Sequence, residues 1–165
     1  MKTAAILMLG LLLGACAGPS PHAGRNLVPG QSTAAQVQAA MGRPAEQLTS
    51  TAGETIWFYP SAPQGRVTYA VRMRPDGLLI AVEQRLTKDS IARVVADKTT
   101  AKEVRELLGP PSFVTRYPAR ERDEWDYLVL VDNRMHDFLV EFSSDGVARK
   151  TSLLHDPIYD TPTPP

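Results

Sequence analysis

The middle of this chain is written twice. Thr33, Val37, Gly42 and Pro44 recur 67 residues later as Thr100, Val104, Gly109 and Pro111. Trp57 and Trp125 stand 68 apart, and the Asp76-Gly77 and Asp145-Gly146 pairs 69 apart, so the spacing drifts by single residues. Self-similarity at one period marks a repeated supersecondary unit. A unit of about 65 residues buries only around 60% of its unfolded surface and is barely stable alone. The two copies are therefore expected to pack together, in one continuous sheet running across the junction near Leu86 to Val95.

Each copy has the chemistry of a short helix leading into an antiparallel meander. Thr33 with Gln36, and Thr100 with Glu103, are spaced as capping boxes. Val37, Ala40 and Met41 fall at i, i+3 and i+4, as do Val104, Leu107 and Leu108, which gives each helix one apolar face. Gly42 and Gly109 stand where a positive-φ C-terminal cap is wanted, with Pro44 and Pro111 two residues on to prevent continuation. Strands follow at Ile56-Trp57-Phe58-Tyr59 and Trp125 to Val131, rich in aromatic and branched residues. Val67, Tyr69, Val71 and Met73 alternate with Arg66, Thr68, Ala70, Arg72 and Arg74, the pattern of a strand half buried and half wet. Phe138, Val140 and Phe142 alternate likewise. Pro75-Asp76-Gly77 and Ser144-Asp145-Gly146 read as turns, followed by final strands through Leu79–Val82 and Val147–Leu153. The expected class is α+β: two tandem repeats, each a short helix or helix pair on an antiparallel meander.

The N-terminus carries an address. Lys2 precedes the apolar run Ala4–Leu13, too short to span a bilayer and shaped like a signal-peptide core. It ends in Leu13-Gly14-Ala15-Cys16, the pattern of a lipobox whose cysteine thiolate takes up diacylglycerol. Cys16 is the one cysteine of the chain, so no intrachain disulfide forms despite export. Three acyl chains would make attachment effectively permanent. By the enterobacterial sorting rule, Ala17 in place of an aspartate implies the outer membrane. The expected plan is a signal peptide at 1–15, a lipidated flexible tether at 16–26, repeats at 27–88 and 89–155, and a proline-rich disordered tail at 156–165.

Composition narrows the function classes. Loss of Lys2 with the signal leaves 17 basic residues against 18 acidic ones, and that balance argues against nucleic-acid binding, which needs a basic excess to release counterions. His22, His136 and His155 share no metal-ligand spacing, although Asp132 and Asp137 flank His136. No thiol nucleophile remains once Cys16 is acylated, and no glycine loop cradles phosphate. No catalytic residue, metal site or cofactor is expected. Candidate partner-binding residues are Arg66, Arg72 and Arg74 on the polar sheet face, and Arg116, Arg120 and Arg122 in a charged loop from Arg116 to Glu124. That loop's counterpart, Gln47 to Glu54, is nearly uncharged.

Each unit thus reads T-x-x-[QE]-V-x-x-[AL]-[ML]-G-x-P, then a tryptophan with tyrosine two residues on, then an alternating strand closed by Asp-Gly. This pattern resembles the BamE (SmpA/OmlA) family of outer-membrane lipoproteins, whose fold is also that of the β-lactamase inhibitor protein. The resemblance implies a lipid-anchored, periplasm-facing protein that supports envelope assembly or integrity. Its implied partners are barrel-assembly components and phospholipid head groups. The tandem arrangement is similar to the β-lactamase inhibitor protein, which implies the alternative of a periplasmic inhibitor or ligand-binding lipoprotein using a concave sheet. The address itself is testable. Cells fed labelled palmitate should label the native chain, whereas Cys16→Ala should abolish the label and leave precursor in the inner membrane; an unlabelled native chain refutes the lipoprotein reading.

Overall fold

The computed structural model describes residues 24–61 and 66–155. Cys16, the signal sequence, most of the tether and the proline-rich tail lie outside the described residues. Each copy opens with a helix, α1 (Ala34–Met41) and α3 (Ala101–Leu108). Both are bounded by the predicted chemistry. Thr33 and Thr100 accept from the backbone N–H of Gln36 and Glu103, whose side chains accept from the cap N–H in return. Both helices end on a positive-φ glycine, Gly42 at 79° and Gly109 at 85°. Val37, Met41, Val104 and Leu108 are buried, as the apolar spacing required.

Eight strands follow in two antiparallel meanders. The first comprises β1 (Glu46–Thr49), β2 (Thr55–Pro60), β3 (Thr68–Met73) and β4 (Leu79–Gln84). The second comprises β5 (Phe113–Tyr117), β6 (Arg122–Val131), β7 (Arg134–Ser143) and β8 (Ala148–His155). They form two separate four-stranded sheets in strand order, which corrects the expectation of one continuous sheet. The junction folds instead as a short helix, α2 (Lys88–Ala92), capped by the Thr87 side chain. Leu86, Ile91 and Val94 then join the core of the second copy. Strands β1 and β5 were not expected either. They are short and carry no periodic apolar signal, so only their pairing with β2 and β6 defines them.

Register explains the drift of the repeat. The first hairpin pairs Thr49 with Thr55 in one copy and Arg116 with Asp123 in the other, one residue longer. The second pairs Tyr59 with Tyr69, and Tyr127 with Phe138, again one residue longer. In the first copy that ladder ends at Pro60, which has no N–H to donate. In the second it continues to Val131 opposite Arg134. There Asp132 and Asn133 take φ of 48° and 63°, as the two central residues of a type I′ hairpin turn require.

Each helix is tied to its sheet at both ends. At the start, the Ala34 N–H donates to the Gly77 carbonyl at 3.1 Å, and Ala101 to Gly146 at 2.8 Å. At the end, the Tyr59 hydroxyl donates to the Gly42 carbonyl and the Tyr127 hydroxyl to the Gly109 carbonyl, both at 3.2 Å. These bonds satisfy carbonyls that a helix terminus leaves open. Burial pushes the Tyr59 hydroxyl up to about 12 and raises Tyr127 further. The two tryptophans pack on equivalent edges of the two cores.

The layers run helix, sheet, helix, sheet. The inner face of the first sheet packs Tyr59, Val71, Met73 and Leu79 on α1. Its other face buries Ile56, Phe58 and Ala70 beneath the end of α3. Val104 and Leu108, on the opposite side of α3, pack with Tyr127, Val129 and Val140 of the second sheet. The expected half-wet strand is therefore buried on both faces: Thr68, Ala70, Val71 and Met73 are all inside. Its small residues let a helix end come close.

That closeness distinguishes the two capping glycines. A Cβ at Gly109 would sit 2.8 Å from Phe58 and 2.9 Å from Thr68, whereas one at Gly42 would meet nothing within 4 Å. Gly42→Ala should cost only the strain of a side chain in this glycine-favouring backbone region, about 1–3 kcal/mol. Gly109→Ala adds overpacking of about 1–3 kcal/mol. Denaturant midpoints should order native, Gly42→Ala, Gly109→Ala; equal losses would contradict the docking of α3.

Candidate interaction surface

The two groups of arginines expected to bind partners occupy different sheets. On the first sheet, Arg72 lies on the face turned toward the second copy. Its Nε and Nη2 donate to Glu54 at 2.7 and 2.9 Å, and its Nη1 to Glu83 at 3.2 Å. Glu83 also pairs with Arg85 at 3.1 Å. Arg85 is largely buried; desolvation lowers its pKa, and its Nε has no hydrogen-bond partner. Arg72 and Arg85 thus belong to a charged seam between the copies. Arg74 pairs with Asp76 at the β3–β4 turn, and Arg66 is exposed just before β3.

The seam has a second part made by α3. Arg105 binds Glu46 of β1 through two hydrogen bonds, at 2.8 and 2.6 Å. Its guanidinium also stands 5.4 Å from the Trp125 ring centroid. Glu106 accepts from the Thr51 N–H at 3.1 Å and from its hydroxyl at 3.2 Å. The positions equivalent to Arg105 and Glu106 in α1 are Gln38 and Ala39, which cannot make these bonds. The helices are duplicated in fold, and only α3 carries the side chains that join the copies.

On the second sheet, the charged loop expected from Arg116 to Glu124 is a β-hairpin. Arg116 lies in β5, Arg120 in a single 3₁₀ turn (Pro118–Arg120) and Arg122 at the start of β6. Glu121 closes the turn with φ of 51°. Arg122 pairs with Glu141 and stands 5.8 Å from the Tyr117 ring centroid. Arg116 and Arg122, with Pro118 and Asp123, border a groove of about 330 Å³ containing Trp125 and Phe142. Those two rings are 4.7 Å apart. Arg120 does not border it.

A surface that the sequence reading missed lies on the outer face of the second sheet. Register places Phe113 (β5), Asp126, Leu128 and Leu130 (β6), Met135, Asp137 and Leu139 (β7), and Leu154 (β8) on one side. Phe113 is 70% exposed, Leu130 51% and Leu154 51%. Leu128 and Met135, between them on the same face, are buried at 5% and 7%. Toward the β5–β6 hairpin it turns charged, with Glu124, Glu141 and Lys150. The signal was present in Tyr127-Leu128-Val129-Leu130-Val131: an unbroken apolar run has apolar residues on both faces of its strand.

His136 and His155 face each other across β7 and β8 with ring centroids 5.3 Å apart. Each Nδ1 bonds a backbone carbonyl, Arg134 at 3.0 Å and Met135 at 3.2 Å. Among the described residues no group of three or more His, Cys, Asp or Glu is placed to hold a metal, and no helix is long and apolar enough to cross a membrane.

No family model matches the chain, and no curated protein matches it. Two solved structures are similar to it. One is a DUF4309 family protein (YjgB) from Bacillus subtilis, 17% identical, covering 84% of this chain and 88% of that one, with a TM-score of 0.31. The other is a candidate beta-lactamase inhibitor protein from Streptococcus mutans, 12% identical, covering 74% of this chain and 82% of that one, with a TM-score of 0.35. Neither bears the name of the BamE family, and neither lends a role to any residue here.

The charged seam yields a stability test. Arg72, first by its hydrogen bonds, holds the Glu54 carboxyl below the usual carboxylate range. A depressed carboxyl stabilises the fold fully above its unfolded pKa and loses that contribution as pH falls through the folded value. Arg72→Glu places a third carboxylate between Glu54 and Glu83 and should lower the melting temperature markedly near pH 7. Arg74→Glu, on the exposed turn, should shift stability by no more than about 0.5 kcal/mol. Below about pH 4 the Arg72→Glu deficit should shrink, since protonation both removes the repulsion and weakens the native pair. Equal effects of the two substitutions would contradict the seam.

Proposed function

We propose that the chain is a non-enzymatic outer-membrane lipoprotein, anchored through acylated Cys16 and facing the periplasm. In this reading it works as a protein-interaction module for envelope assembly or integrity. The observation that carries it is the outer face of the second sheet, where Leu128 and Met135 are buried but apolar side chains around them are not. The first sheet is covered on both sides, while the second leaves Phe113, Leu130 and Leu154 exposed on one face. Exposed apolar residues beside a charged border are the composition of an interaction site.

The lipobox and the twice-repeated helix-Gly-Pro pattern support placing this activity among BamE-like lipoproteins. Barrel-assembly components are then the envelope proteins to look for, with phospholipid head groups meeting the Arg116, Arg120 and Arg122 hairpin. A tether of some ten residues reaches on the order of 15–20 Å. Partners in the same membrane meet the module at high effective concentration, so modest intrinsic affinity suffices.

Crosslinking in intact cells followed by affinity recovery tests the proposal. The native chain should recover envelope proteins, barrel-assembly components among them. The double substitution Leu130→Asp and Leu154→Asp should reduce that recovery while leaving the melting temperature nearly unchanged, because exposed positions shift stability by less than about 0.5 kcal/mol. Full recovery by the folded double variant, together with complementation of a deletion strain, would sink the proposal. Recovery of a single soluble enzyme in place of envelope proteins would sink it as well.

A further inference from the structure

The four sheet edges are not equally protected. Strand β1 is braced by α3 through Glu46 with Arg105, and the turn after it through Thr51 with Glu106. Strand β4 meets a register shift in its ladder at Arg72/Met73, and β8 meets one at Glu141/Phe142. Strand β8 also carries Arg149 and Lys150, both exposed. Bulges, charges and covering elements are the ordinary means of keeping an edge from pairing. Among the described residues, strand β5 has neither bulge nor cover. It is hydrogen-bonded to β6 alone among the described strands, its ladder with β6 is regular, and Phe113, Val114, Thr115 and Arg116 are all exposed. Its residues are aromatic and branched, of high strand propensity, and Pro111 and Pro118 limit any added pairing to the few residues between them.

We infer that β5 pairs antiparallel with β5 of a second copy about a two-fold axis through Thr115. The strand Phe113-Val114-Thr115-Arg116-Tyr117 matches itself when reversed. Phe113 comes opposite the second copy's Tyr117, Val114 opposite Arg116, and Thr115 opposite Thr115. The outer face then gains two aromatic cross-strand pairs, a type that adds about 0.2–1 kcal/mol each, and Tyr117 of each copy covers the exposed Phe113 of the other. On the inner face, Asp123 flanks Arg116 and Trp125 flanks Val114, so each row reads acid, arginine, valine, tryptophan across the seam. No like charges stand directly opposite. An isologous contact of this kind closes on itself and cannot propagate into a fibre. It would join two four-stranded sheets into one of eight, covering Phe113 of the face proposed above and leaving Leu130 and Leu154 of both copies exposed on one side.

The test uses the full chain in its membrane, carrying Thr115→Cys. Opposite residues of an antiparallel pair place their Cβ atoms about 4.5–5.5 Å apart, near the span a disulfide needs. Mild oxidation should convert the Thr115→Cys chain into a covalent homodimer. Arg120→Cys, equally exposed on the same hairpin but off the axis, should give on the order of tenfold less because its geometry is unsuitable. Mass spectrometry of the conjugate identifies the partner, and the melting temperature of reduced Thr115→Cys confirms its fold. Homodimer at Thr115 far above that at Arg120 supports the pairing. Equal yields at the two positions, no conjugate from folded Thr115→Cys, or a conjugate with a different protein would each overturn it. Because Leu130 and Leu154 are untouched, partner recovery by the native face can survive any of these failures.

Discussion

Everything in this fold depends on one helix serving two sheets. Helix α3 turns Val104 and Leu108 toward its own sheet and presents Arg105, Glu106 and Gly109 to the sheet of the first copy. Without that second contact the face bearing Ile56, Phe58 and Ala70 would stand in water, and a unit of this size has little stability to lose. The contact is possible because one atom is missing where it would collide with Phe58 and Thr68. Gly109, where α3 ends, has no Cβ.

Polar bonds fix where that apolar contact sits. An ion pair in water contributes little, but Arg105 and Glu46 are mostly enclosed, each at about 30% side-chain exposure or less, and meet in a two-bond fork that holds one orientation. The Trp125 ring backs the same guanidinium. A helix end, a strand edge and a core aromatic of the other sheet are therefore positioned by one side chain. The Tyr59 and Tyr127 hydroxyls set the remaining degree of freedom, the height of each helix over its sheet.

The same asymmetry creates the surface from which function is proposed. Two copies stacked as helix, sheet, helix, sheet leave one helix face at one end and one sheet face at the other. The outer side of α1 carries Ala35, Gln38 and Ala39, small and uncharged. The outer side of the second sheet carries leucines, a phenylalanine and a charged border. Duplication with unequal ends leaves Phe113, Leu130 and Leu154 exposed on the outer face of the second sheet.

What is local was legible in the chain alone. Capping boxes, positive-φ glycines, Asp-Gly turns and the apolar spacing of Val104 and Leu108 are decided within a few residues, and each is where the repeat placed it. Which faces are covered was set by how the two copies pack. Alternation in β3 reports that Thr68, Ala70 and Arg72 share a side, not that another copy's helix lies there, so a strand that reads as half wet is buried twice. The charge on Arg72 reports a cation but not that Glu54 and Glu83 enclose it. The Arg116–Glu124 stretch reads as a loop because β5 has no periodic core of its own and becomes a strand only through β6. Local rules act over one turn of helix or one hairpin, whereas burial and ion pairing here join residues more than fifty positions apart, a separation at which no pattern in the chain records the partner.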